Sequence, residues 1–82
     1  MQLTIVTPAG VVCRAEVESV KLSGTAGQFT VLPAHAPLLS SLERGDVIYT
    51  AQGVEHRVAI RSGFVNVYRD TIEVCAEVDA TK

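Results

Sequence analysis

This sequence predicts an all-β fold, a flattened antiparallel sandwich or barrel of two sheets and about eight to nine short strands. Three observations carry the expectation. β-Branched and other apolar residues recur in short alternating runs, turn signals built on Gly and Pro interrupt them every several residues, and no segment shows a helical stripe longer than a turn or two. A chain of 82 residues, 48% apolar and 20% charged, can build one hydrophobic core. So many short strands in so few residues would leave one face of a lone sheet wet, and two packed layers bury it.

The first strand is read from Leu3 and Ile5, which alternate with Gln2, Thr4 and Val6 until Pro8-Ala9-Gly10 turns the chain. Val11 to Leu22 forms a longer run, with Val11, Cys13, Ala15 and Val17 on one phase and Arg14, Glu16 and Glu18 on the other. The phase then slips, and Val20 and Leu22 become the apolar positions. Side chains change face at every residue of a strand, so the slip predicts a bulge or bend near Glu18-Ser19. Ser23 to Gly27 reads as a turn, and Gln28 to Leu32 as a short strand stopped by Pro33. Ala34-His35-Ala36-Pro37, held between two prolines, predicts an ordered, extended loop. Leu38 to Leu42 leads into the charged turn Glu43-Arg44-Gly45-Asp46. Strands follow over Val47–Ala51, Val54–Ser62 after the Gln52-Gly53 turn, and Gly63–Arg69. The last runs from Ile72 to Val78 with Ile72, Val74, Ala76 and Val78 on one face.

A net charge of −2 supplies none of the positive field that nucleic acid or anionic lipid would require. No basic segment followed by a continuous apolar stretch opens the chain, and no uncharged apolar run approaches the roughly 18 residues of a membrane span. Cys13 and Cys75, remote and without CxxC spacing, read as two reduced thiols of a cytoplasmic protein. The whole chain, 1–82, is expected to be a single domain without a linker or repeat.

Chemistry-bearing groups are sparse. His35, His56, Cys13 and Cys75 could in principle assemble a metal site, yet no two share a short ligand spacing, and His56 between Glu55 and Arg57 reads as a structural histidine. Glu16 with Glu18, and Glu73 with Glu77, have the alternation of a solvated sheet face. None of the serines sits in a nucleophile motif, and Gly24-Thr25-Ala26-Gly27 lacks the Lys-Ser/Thr and the following helix of a phosphate loop. No catalytic, cofactor or metal residue is expected. The stretch Gly27 to Leu39 stands out, because it sets Phe29, His35 and several aliphatic residues on a stiff double-proline loop. Rigid loops lose little entropy on docking, which points to a protein-binding edge; packing of the loop on the core is the alternative.

The run from Gly27 to Leu38, with its Leu-Pro-Ala-His-Ala-Pro-Leu core, resembles the amino-terminal domain of the epsilon subunit of F-type ATP synthases. Leu42, Gly45, Ser62-Gly63-Phe64-Val65-Asn66-Val67, Leu3 to Pro8 and Glu16 to Val20 extend the resemblance over nearly the whole chain. It implies a non-catalytic rotor subunit, peripheral on the cytoplasmic face of a bacterial membrane. Such a subunit binds gamma and the c-ring, reaches the catalytic hexamer through gamma, and couples ion-driven rotation to ATP synthesis or hydrolysis. By the same resemblance Gln28, with Phe29, falls at the ring contact, while His35, with Pro37 and Leu38, falls near the junction of gamma and ring. Gln28 stands where the family often has an acid, so a neutral hydrogen bond replaces a charge-assisted one there. The sequence ends at Lys82, without the family's carboxy-terminal helical hairpin, and neither hairpin inhibition nor nucleotide binding is expected of it. A free-standing sandwich that binds a peptide or small ligand is the alternative function.

Overall fold

The computed structural model describes residues 1–34 and 36–78. Nine strands account for most of them: β1 (Gln2–Thr7), β2 (Gly10–Glu16), β3 (Ser19–Gly24), β4 (Gly27–Val31), β5 (Leu38–Leu42), β6 (Gly45–Ala51), β7 (Val54–Ile60), β8 (Ser62–Tyr68) and β9 (Thr71–Glu77). Hydrogen bonding links them in one path, β2-β1-β9-β8-β5-β3-β6-β7, with β4 attached to β3. The path bends where β5 meets β3 at the single pair Gly24–Leu42, so that the β2-β1-β9-β8-β5 half faces the β4-β3-β6-β7 half. Principal extents of 36 × 27 × 19 Å describe the flattened body that results.

Alternation builds the core. Leu3 and Ile5 of β1, Val20 and Leu22 of β3, and Ile72 and Val74 of β9 are all fully buried, while their neighbours along each strand turn outward. Each such side chain contributes about 1.5–3 kcal/mol on leaving water. The phase slip resolves as expected: β2 ends at Glu16, Val17 and Glu18 carry the chain between the layers, and β3 begins at Ser19. Val17 is buried at that crossing, its N–H donating to the carbonyl of Met1 at 2.8 Å, and Glu18 N–H donates to Thr50 at 2.7 Å. The first turn is closed by Thr7, whose hydroxyl donates to the Gly10 carbonyl at 3.1 Å and accepts from Ala9 N–H at 3.2 Å.

The structure departs from expectation at four places. β1 and β9 run parallel, Leu3 beside Ile72 and Ile5 beside Val74, so the sandwich is not wholly antiparallel. The chain connection between them passes through the other strands, which frees this pair from hairpin geometry. An unexpected bulge lies in the first hairpin, where Ile5 pairs with Cys13 but Val6 with Val11, leaving Val12 as the extra residue. Leu38–Leu42 is itself a strand, paired with β8 from Leu38–Val67 to Leu42–Gly63. The double-proline loop is not extended throughout, because Ala34 takes a left-handed φ of 67°.

Candidate functional site

Registers sort the loops into two ends. One end gathers the Arg69-Asp70 turn, the Gln52-Gly53 turn and the start of β5; the other gathers Pro8-Ala9, Thr25-Ala26, Glu43-Arg44 and Arg61. Gln28 and Phe29 stand beside the Thr25-Ala26 tip, whereas Pro37 and Leu38 stand at the opposite end of β5, about 13 Å away along a five-residue strand. These residues therefore do not form one patch. Gln28 is exposed on β4 opposite Ser23, and Phe29 is half-buried opposite Leu22, its ring lying where a Cβ on Gly24 would come within 2.8 Å of it. Pro37 is exposed, Leu38 is half-buried against the core, and His35 lies outside the described residues. Leu32, Pro33, Ala34 and Ala36 are all exposed, so the described part of the loop is displayed rather than sealed inside.

A surface that no single segment of sequence announces lies on the outer face of the β2-β1-β9-β8-β5 half. Cross-strand pairing aligns Ser41, Phe64, Cys75, Val6 and Val11 in one row over five strands. Leu39 stands two residues along β5 from Ser41, on the same face. Leu39 is 72% exposed, Phe64 52% and Val11 55%; Cys75 is exposed and Val6 half-buried. Leu39, Ser40, Ser41 and Phe64 line an open hollow of about 400 Å³. Large apolar groups aligned in this way on a solvated face mark an interaction surface, since an isolated sheet would alternate them inward.

Cys13, Tyr49 and His56 have structural partners. Cys13 donates from Sγ to Tyr49 Oη at 3.3 Å, joining β2 to β6 across the sandwich. This bond, reinforced by burial, raises the Tyr49 pKa above its ordinary value. Tyr49 also stacks on His56 with centroids 5.0 Å apart, so His56 has a ring neighbour. Among the described residues no group of three or more His, Cys, Asp or Glu side chains is placed to hold a metal ion. Among them, too, no helix is long and apolar enough to cross a membrane. An open hollow of about 310 Å³ is lined by Thr7, Pro8, Ala9, Arg61, Glu77 and Val78, with one carboxylate and one guanidinium among them.

The family described as ATP synthase, Delta/Epsilon chain, beta-sandwich domain matches residues 1–80. The chain belongs to this family. It is similar to the ATP synthase epsilon chain of Citrifermentans bemidjiense, 39% identical over 77 residues that cover 94% of this chain and 56% of the relative. It is also similar to the ATP synthase epsilon chain of a Sulfurovum species, 52% identical over 68 residues that cover 82% of this chain and 53% of the relative. The chain thus spans about half the length of the curated relatives it matches. Two solved structures share the fold of this chain. One is the central stalk and c-ring of the Tetrahymena thermophila mitochondrial ATP synthase, with TM-score 0.79, 15% identity, and 94% of this chain and 63% of that one covered. The other is the Euglena gracilis mitochondrial ATP synthase, with TM-score 0.84, 19% identity, and 90% and 48% covered. At those identities the likeness is one of fold.

Proposed function

We propose that this domain is the docking body of an epsilon subunit in the central stalk of a rotary ATP synthase. It has no catalytic residue of its own. It grips gamma through the outer face that carries Leu39, Phe64, Cys75, Val6 and Val11, and it rests the Gln28 end on the polar loops of the c-ring. Ring rotation then passes through the stiff two-layer body and gamma to the catalytic hexamer. Its place is peripheral, on the cytoplasmic face of the bacterial plasma membrane, held there by the complex. Family membership supports the subunit assignment, and the single observation supporting the docking role is the outward apolar row, which a freely solvated sheet face would not carry.

Two measurements test the reading. Leu39→Glu combined with Phe64→Glu is expected to weaken binding to purified gamma by at least about tenfold, because truncating or charging central apolar anchors of an interface costs roughly 1–4 kcal/mol. The circular dichroism melt should stay near that of the parent, since both side chains face solvent in the free domain. The second measurement uses the exposed Cys75 thiol, whose alkylation by a maleimide should slow when gamma is added. Unchanged affinity in calorimetry together with unchanged alkylation would reject this face as the gamma contact.

A further inference from the structure

Among the described residues β2, β4 and β7 are each paired along one side only, which makes them the edges of the sheet. An unguarded edge is a template for another strand, and natural sheets blunt their edges with charge, proline or bulges. β2 has the bulge at Val12 and the charges of Arg14 and Glu16. β7 carries Glu55, His56 and Arg57, the last paired with Asp46 at 3.2 Å. β4 has no such device: Gly27-Gln28-Phe29-Thr30-Val31 is uncharged, free of proline and in unbroken register with β3.

The direction of its unpaired main-chain groups follows from its neighbour. Thr25 N–H donates to the Ser41 carbonyl at 3.1 Å and Glu43 N–H donates to the Ser23 carbonyl at 2.8 Å. Ser23 and Thr25 therefore turn their main-chain groups toward β5, and the intervening Gly24 turns its own toward β4. Alternation along the strands then gives Gly27, Phe29 and Val31 the bonds to β3, and leaves the N–H and C=O of Gln28 and Thr30 pointing to the open edge. Both residues are exposed.

We infer that β4 is the pairing edge of a symmetric dimer, in which two copies of this chain join antiparallel about Phe29 and Gln28 of each copy opposes Thr30 of the other. An isologous contact must be self-complementary, and this register is. It engages the N–H and C=O of both Gln28 and Thr30 in each copy, and it places two uncharged Gln–Thr pairs on the outer face and the two Phe29 rings side by side on the inner one. Nowhere do like charges oppose. A five-residue strand buries little area, so the dimer is weak and concentration-dependent. The inference stands apart from the stalk reading, because it uses only the edge geometry of the free chain.

Sedimentation equilibrium across a concentration series, joined to amide exchange by NMR, tests it. The folded chain should move from monomer to dimer as concentration rises, and the amides of Gln28 and Thr30 should gain protection over the same range while those of Phe29 stay unchanged. Two double variants separate pairing from fold. Gln28→Glu with Thr30→Glu sets like charges opposite each other across the dyad, whereas Gln28→Lys with Thr30→Glu sets opposite charges there. Both carry Thr30→Glu facing Lys21 within the monomer, so any effect at that position is shared. The dimer constant of the second variant should be tighter than that of the first by about tenfold or more. A chain that stays monomeric at every concentration, or two variants with equal dimer constants, would overturn the proposal. Should either variant fail to fold, protection of Gln28 and Thr30 that does not depend on the concentration of the parent chain overturns it as well.

Discussion

Gly63 shows how little room single residues have where β8 is held between β5 and β9. A Cβ added there would stand 2.3 Å from the Cys75 carbonyl oxygen and 2.8 Å from the Ala76 Cα, both main-chain atoms that cannot turn aside. Gly63→Ala should destabilise the domain by about 1–3 kcal/mol, the range for overpacking, with a lower denaturation midpoint as the measurement. A melt identical to the parent's would mean the strands are farther apart than described. At the amino terminus the Met1 ammonium donates to Glu16 at 2.8 Å and lies 3.7 Å from Asp70. The hydrogen bond to Glu16 is the main cause that raises its pKa above the ordinary 8.0, with burial opposing and the charges of Asp70 and Glu16 assisting. Because the folded-state pKa is the higher one, this contribution is fully present below about pH 8 and is lost as pH climbs through the folded value. In a chain whose amino terminus is free at Met1, the melting temperature should therefore fall more steeply between pH 7.5 and 9.5 than in Glu16→Gln, at roughly those bounds. Equal slopes would remove the ion pair from the account.

Among the elements, β6 and β7 meet in a two-residue turn with Gln52 at φ 52° and Gly53 at φ 76°, the mirror-image geometry that matches strand twist. Glutamine gains nothing from the left-handed region, whereas asparagine tolerates it, so Gln52→Asn should stabilise the domain by about 0.5–1 kcal/mol. A thermal melt checks this, and a lower midpoint would contradict the turn. Strands with clean alternation were legible from the sequence for a simple reason. Ile72, Val74 and Ala76 face one core and Glu73, Cys75 and Glu77 face water, so the period is written in the chain. The slip after Val17 was legible on the same ground. β5 was not, since Leu38-Leu39-Ser40-Ser41-Leu42 has no period and becomes a strand through its pairing with β8. Nor was the outward apolar row, because Phe64 and Leu39 have the composition of core residues and only cross-strand register puts them on the outer face. The double-proline loop drew attention through local chemistry, yet β5 separates Leu38 from Gln28, a distance that no spacing in the sequence encodes.

At the scale of the molecule, the parallel pairing of β1 with β9 decides how the body holds together. β9 lies between β1 and β8, with Val74 beside both Ile5 and Val65, and its buried side chains are shared by both neighbours. Among the described residues the first hairpin, β1 and β2, pairs with the other strands of its layer only through β9. This arrangement resists shear, because the first and last strands are locked side by side in the middle of a layer and not left at an edge. The same arrangement makes folding depend on both ends of the strand order. A chain cut after Asp70 keeps eight of the nine strands yet removes the strand that lay between Leu3 and Ile5 of β1 and Val65 and Val67 of β8. The apolar area then exposed outweighs a net stability of only about 5–15 kcal/mol. The truncated chain should accordingly show no cooperative thermal transition and rapid proteolysis, while a cut after Val78, which retains β9, should melt as the parent does. A cooperative melt from the shorter chain would show that the first hairpin docks without β9 and that the parallel pair is not what closes the layer.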